Sequence, residues 1–215
     1  MNGITHVTFD FDGTLADSQG YWTMLNPLIL KERGYPVDDA DFEKCKTAAL
    51  PDWEYLKKKY GISDQDCPTF DETMEYIDLF YRTEMRLKKG VLEFLEYVKG
   101  KGIPMAVFSA TRESSVRLGL SCLGIDSYFD GVFSAGDWGT NKGHKETYLR
   151  CLSLLGTKPE NCIMVEDALY SIKTAKSLGM TVYAVSEPCF ASDEAEIRSL
   201  ADRYAEESMT EFFQK

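Results

Sequence analysis

Short β-rich runs alternate with helix-length segments along most of this chain, and that alternation restricts its fold more than any other feature. The runs lie at residues 4–11, 103–109, 130–134, 161–166 and 181–185, separated by helix-length stretches at 90–101, 113–123, 142–155 and 168–178. Strands joined through helices run parallel, so the order predicts an α/β fold: a parallel sheet flanked by helices. The strand bearing Asp10 is expected near the middle of that sheet, with the ends of the strands at 103–109 and 161–166 beside it. No G-x-G-x-x-G and no G-x-x-x-x-G-K-[ST] follows any run, which disfavours a dinucleotide site and a P-loop.

The first run carries chemistry at its end. Val7, Phe9 and Phe11 read as buried strand, and Gly13 supplies a permissive backbone for a sharp exit, so Asp10 and Asp12 project from a strand's carboxyl end. Ligand sites of open α/β sheets lie there. Two acids so close repel each other unless a cation or a proton sits between them. The bland alternative is a surface Asp-Gly turn after an edge strand.

Residues 16–88 are far longer than one crossover needs and read as an inserted helical domain, leaving 1–15 and 89–215 as the α/β core. Helices are expected at 20–33, 39–48 and 52–60, with Pro27 kinking the first and with breaks at Gly34-Tyr35-Pro36 and Gly61-Ile62. In the last helix Phe70, Met74, Ile77, Tyr81 and Met85 share one face, a stripe read as packing rather than a cofactor site. The connections near 16–18 and 87–90 are the expected hinges.

The run Asp10-Phe11-Asp12-Gly13-Thr14-Leu15 resembles the signature of the haloacid dehalogenase superfamily of hydrolases. Val107-Phe108-Ser109 resembles that family's second motif, Lys142 its third, and Ile163-Met164-Val165-Glu166-Asp167 its fourth, all in the family's order over the whole chain. The resemblance implies a Rossmann-like core with a helical cap inserted after the first motif, closing over small phosphorylated metabolites. It implies Asp10 as the nucleophile and Asp12 as general acid and base. Mg²⁺ would be held by Asp10, the Asp12 carbonyl and Asp167, with Glu166 helping, while Ser109, Lys142 and Thr14 hold the phosphate. Lys145 is the rival for the Lys142 role. Gly143, Lys89, Ala168 and Ser171 depart from residues frequent at those places.

Composition narrows the partners. A net charge of −11 without a basic stripe argues against nucleic acid and anionic membranes, and no apolar run approaches a membrane span. With no room for a signal peptide before the first run, and six scattered cysteines without metal-finger spacing, a cytoplasmic enzyme with reduced, structural thiols is expected, monomeric or weakly dimeric. Three readings stand: a Mg²⁺-dependent phosphatase, a phosphomutase of the beta-phosphoglucomutase type, and a non-catalytic binder of phosphorylated ligands. The mutase needs a cap cation for a second phosphate, yet no arginine lies between Arg33 and Arg82, and the turn Ala48-Ala49-Leu50-Pro51-Asp52-Trp53 has none. Asp12 disfavours a dehalogenase. Tyr21, Trp22, Lys46 and Trp53 are the candidate specificity residues of the insert.

Overall fold

In the computed structural model, which describes residues 1, 3–46 and 53–214, the described strands form one parallel sheet. They are β1 (His6–Phe9), β2 (Met105–Ser109), β3 (Gly131–Ser134), β4 (Cys162–Glu166), β5 (Thr181–Val185) and β6 (Arg203–Ala205), in the order β3-β2-β1-β4-β5-β6. Every pairing is parallel, with Phe9 opposite Val107 on one side and Val165 on the other. The strand order therefore reverses between β1 and β4, and the crevice outside their carboxyl ends is where such a sheet binds ligands.

The helices are α1 (Gln19–Glu32), α2 (Asp39–Lys46), α3 (Trp53–Tyr60), α4 (Phe70–Thr83), α5 (Val91–Gly100), α6 (Glu113–Cys122), α7 (Lys145–Leu155), α8 (Leu169–Ser177) and α9 (Glu194–Leu200). Two apolar clusters cover the sheet. Val7, Phe9, Val107 and Val165 pack with Phe94 of α5 and Val116 and Leu120 of α6, while Phe108, Met164 and Val182 pack with Tyr148 of α7 and Ile172 of α8. Burial on both faces explains why β2 and β4 read as nearly unbroken apolar runs.

The described part of residues 16–88, the expected insert, packs in two layers. Leu25 and Ile29 of α1 and Met74, Ile77 and Tyr81 of α4 join the first cluster, whereas Leu30, Val37, Leu56 and Ile62 form a separate small core under α2 and α3. A capping box starts α4: the Thr69 hydroxyl accepts from the Glu72 amide, and the Glu72 carboxylate accepts from the Thr69 amide. Pro27 is buried inside a continuous α1. The two connections pair with each other, Asp17 N–H donating to Arg86 O and Lys88 N–H to Leu15 O, at 2.9 and 3.0 Å.

Candidate active site

Asp10 leaves β1 while its amide still donates to Val165 O, and Gly13, at φ 83°, turns the chain back. A Cβ on Gly13 would lie 2.3 Å from Asp167 Oδ2, so glycine is required both by conformation and by close approach. This turn brings Asp10 and Asp12 against the ends of β2 and β4. The buried Lys142, in the turn before α7, places its ammonium 2.5 Å from Asp10 Oδ1 and 2.5 Å from Glu166 Oε2. Lys145, its rival by spacing, is exposed at the start of α7.

Glu166 is fixed on every side. Its Oε1 accepts from the amides of Asp167 and Ala168, and its Oε2 accepts from Lys142 and, at 2.6 Å, from the Ser171 hydroxyl. Burial pushes its carboxyl up, but the Lys142 charge and these donors together hold it below the ordinary value. Asp10 shows the opposite balance: burial, against the pull of Lys142 and aided by the charges of Glu166 and Asp12, pushes it up to about 8. Burial first, then the charges of Glu166 and Asp10, hold Asp167 well above its usual value.

The arrangement is suited to a divalent cation. Asp10, Glu166 and Asp167 each offer a carboxylate oxygen, all within 4.8 Å of one another, with the Lys142 ammonium beside them. Asp167 Oδ1 accepts from the Thr14 hydroxyl at 2.9 Å, while its buried Oδ2 has no hydrogen-bond partner. An orphaned carboxylate oxygen is costly to bury, and a hard cation with oxygen ligands would satisfy it. Thr14, expected at the substrate phosphate, thus turns its fully buried hydroxyl onto Asp167.

Asp12 is held by three hydroxyls that the sequence reading did not single out. Ser18 and Tyr81 donate to Oδ1 at 2.7 and 2.5 Å, and Thr111 donates to Oδ2 at 2.7 Å. Two of them come from the insert. Tyr81 belongs to the stripe read as packing, and it does pack, edge-on to Phe11 at 5.5 Å, while its hydroxyl reaches the acid. Ser171, a departure from the family pattern, both steadies Glu166 and meets the Tyr148 hydroxyl.

A cavity of about 290 Å³ opens over these acids. Asp10, Asp12, Ser109, Lys142, Glu166 and Asp167 form its polar floor, and Ser109 Oγ is steadied by the Thr111 amide at 3.0 Å. From the insert come Gln19, Trp22, Phe70 and Met74. Of the candidate specificity residues, Trp22 faces this cavity. Tyr21 stacks on Phe80 at 4.2 Å, and Trp53 packs against the small core under α2 and α3. The Lys46 side chain and the turn at 48–52 lie outside the described residues.

Residues 7–185 match the family model described as haloacid dehalogenase-like hydrolase. The chain is 28% identical over 184 residues to the phosphorylated carbohydrates phosphatase of Thermotoga maritima, covering 83% of this chain and 84% of that one. It is 24% identical over 210 residues to hexitol phosphatase B of Escherichia coli K12, covering 93% and 94%. A solved structure of a HAD family hydrolase from Deinococcus radiodurans R1, with bound phosphate and sodium, superposes with a TM-score of 0.70 at 22% identity over 95% of this chain and 92% of that one. Among the described residues no helix is long and apolar enough to cross a membrane.

Proposed function

This chain belongs to the haloacid dehalogenase-like hydrolases, and from that premise we propose that it is a Mg²⁺-dependent phosphatase hydrolysing small phosphorylated metabolites through an aspartyl-phosphate. One observation carries the reading: Asp10 sits at the cavity floor between the Lys142 ammonium and the orphaned Asp167 carboxylate, at the end of the central strand. The named relatives, a phosphatase of phosphorylated carbohydrates and one of hexitol phosphates, support the same class of reaction.

Asp10 attacks phosphorus. An Asp10–phosphorus bond forms as the bond to the leaving oxygen breaks, and Asp12, acting as the general acid, gives that oxygen its proton. Water then attacks the acyl phosphate, Asp12 takes the water's proton, and inorganic phosphate leaves. Ser109 Oγ and Lys142 Nζ hold the peripheral phosphoryl oxygens, where charge gathers in the transition state. Asp10, Asp167 and the Asp12 carbonyl would hold Mg²⁺, aided by Glu166. Bound there, the ion neutralises the carboxylates and orients nucleophile and phosphate. The insert, residues 16–88, acts as a cap hinged at its paired connections, and Ser18 and Tyr81 carry its position to Asp12.

Phosphate release from a panel of phosphomonoesters tests this directly. Turnover should require Mg²⁺, vanish in excess chelator and be lost in Asp10→Asn, with the circular dichroism spectrum retained. Undiminished turnover in chelator would overturn the reading.

A further inference from the structure

The cavity wall opposite the phosphate site has a chemistry of its own. Its insert side offers Gln19, Trp22, Phe70 and Met74, and the core adds Tyr170 and Phe190. Phe70 and Tyr170 are large apolar side chains left 58% and 43% exposed, and both border this one cavity. Unburied rings gathered at a single concave site are a binding surface rather than core.

Phe70 is also held in place. The Arg112 guanidinium lies 4.9 Å from its ring centroid and is paired with Asp71, tying the first turn of α4 to the start of α6. That commitment uses the cation beside the mouth. Among the described residues that line the cavity, Lys142 is the sole Lys or Arg, and it serves the phosphate site. Residues 47–52 contain no basic residue, Lys57 pairs with Glu54 and Asp64, and the Lys46 side chain lies outside the described residues.

Resting on the phosphatase reading, we propose that the leaving group this site accepts is an uncharged aromatic ring alcohol, and that the scissile phosphate is the substrate's sole anionic group. Among the described residues the rings of this wall carry no Lys or Arg between them, so a second phosphate or a carboxylate would be desolvated there unless it drew Arg112 off Asp71. A polyol would exchange water for the faces of Trp22, Phe70 and Tyr170, and for its several hydroxyls that wall offers the Gln19 amide, the Trp22 indole N–H and the Tyr170 and Thr111 hydroxyls, fewer partners than water gives. An aromatic ring instead finds ring faces and the Met74 thioether, both favourable neighbours. The small cavity limits the alcohol to one or two rings.

The test compares primary esters, so that intrinsic leaving-group reactivity stays matched: benzyl phosphate, glycerol 1-phosphate and a hexose bisphosphate, with acetyl phosphate as a probe that barely reaches the wall. With Mg²⁺ present, kcat/KM for benzyl phosphate should exceed that for glycerol 1-phosphate by about tenfold, and for the bisphosphate by more. Phe70→Ala and Tyr170→Ala, each at an exposed ring, should lower the benzyl-to-acetyl ratio of kcat/KM by about fivefold to tenfold, through KM. Turnover of acetyl phosphate with glycerol 1-phosphate or the bisphosphate preferred over benzyl phosphate would overturn the ring assignment alone. Phosphate release from none of the four would overturn the phosphatase reading, and the ring assignment with it.

Discussion

Asp12 accepts hydroxyl donors from three separate segments, and its orientation depends on all of them. Tyr81→Phe keeps the ring against Phe11 and removes one donor, so kcat should fall by about tenfold with the fold intact, about the worth of one hydrogen bond. Steady-state kinetics on one good substrate checks this, and an unchanged kcat would remove Tyr81 from the account. Asp167 makes a thermodynamic claim. If its orphaned Oδ2 awaits a cation, Mg²⁺ at 100 times its dissociation constant should stabilise the protein by about 2.7 kcal/mol, and Asp167→Asn should lose most of that gain in a thermal melt. At this scale the sequence pointed to Asp10, Asp12, Ser109, Lys142, Glu166 and Asp167 as candidates, because each ends a strand or precedes a helix in a recognisable order, and the structure brings all six to one cavity. It could not show Tyr81 or Thr111, 69 and 99 residues from the acid they hold, since no period relates them to it.

At the scale of elements, α2 and α3 depend on one buried acid. Asp41 Oδ1 accepts from the Tyr55 hydroxyl at 2.8 Å and the Lys59 ammonium at 2.6 Å, while its Oδ2 takes Tyr60 and the Asp38 amide. Burial alone would push this carboxyl up. The Lys59, Tyr60, Asp38 and Tyr55 donors outweigh it and hold the group well below the ordinary value. A carboxyl depressed in the folded state adds stability above its unfolded pKa, and that stability is lost as pH falls below about 4. Asp41→Asn should therefore lower stability at pH 7 by about 2 kcal/mol and flatten the acid side of the stability curve below about pH 4, read by urea titrations across pH. An unaltered acid limb would contradict it. Elements with a strong signal were legible: the short β-rich runs of β1, β2, β4 and β5, and the helical period of α4. β6 and α9 were not, because a three-residue edge strand beginning at Arg203 and a seven-residue helix are too short to show a period.

For the whole molecule, the sheet order sets the ends of β1, β2 and β4 side by side, and the insert covers the cavity between them. α1 and α4 share apolar packing with the sheet, while the paired connections give the insert a narrow attachment. In the proposed mechanism that combination serves a cap that closes over the substrate and opens for exchange. It also places Phe70 and Met74, on the stripe read as packing alone, at the cavity: buried in part and lining in part, a double use that periodicity cannot separate. The central claim is the covalent step at Asp10, and trapping tests it most directly. Asp12→Asn lacks the base for the second step, so incubation with Mg²⁺ and acetyl phosphate, followed by acid quench and peptide mass spectrometry, should place one phosphoryl group on Asp10. The same treatment of Asp10→Asn should leave the protein unlabelled. Label on any other residue, or phosphate release by Asp10→Asn at the wild-type rate, would contradict the account.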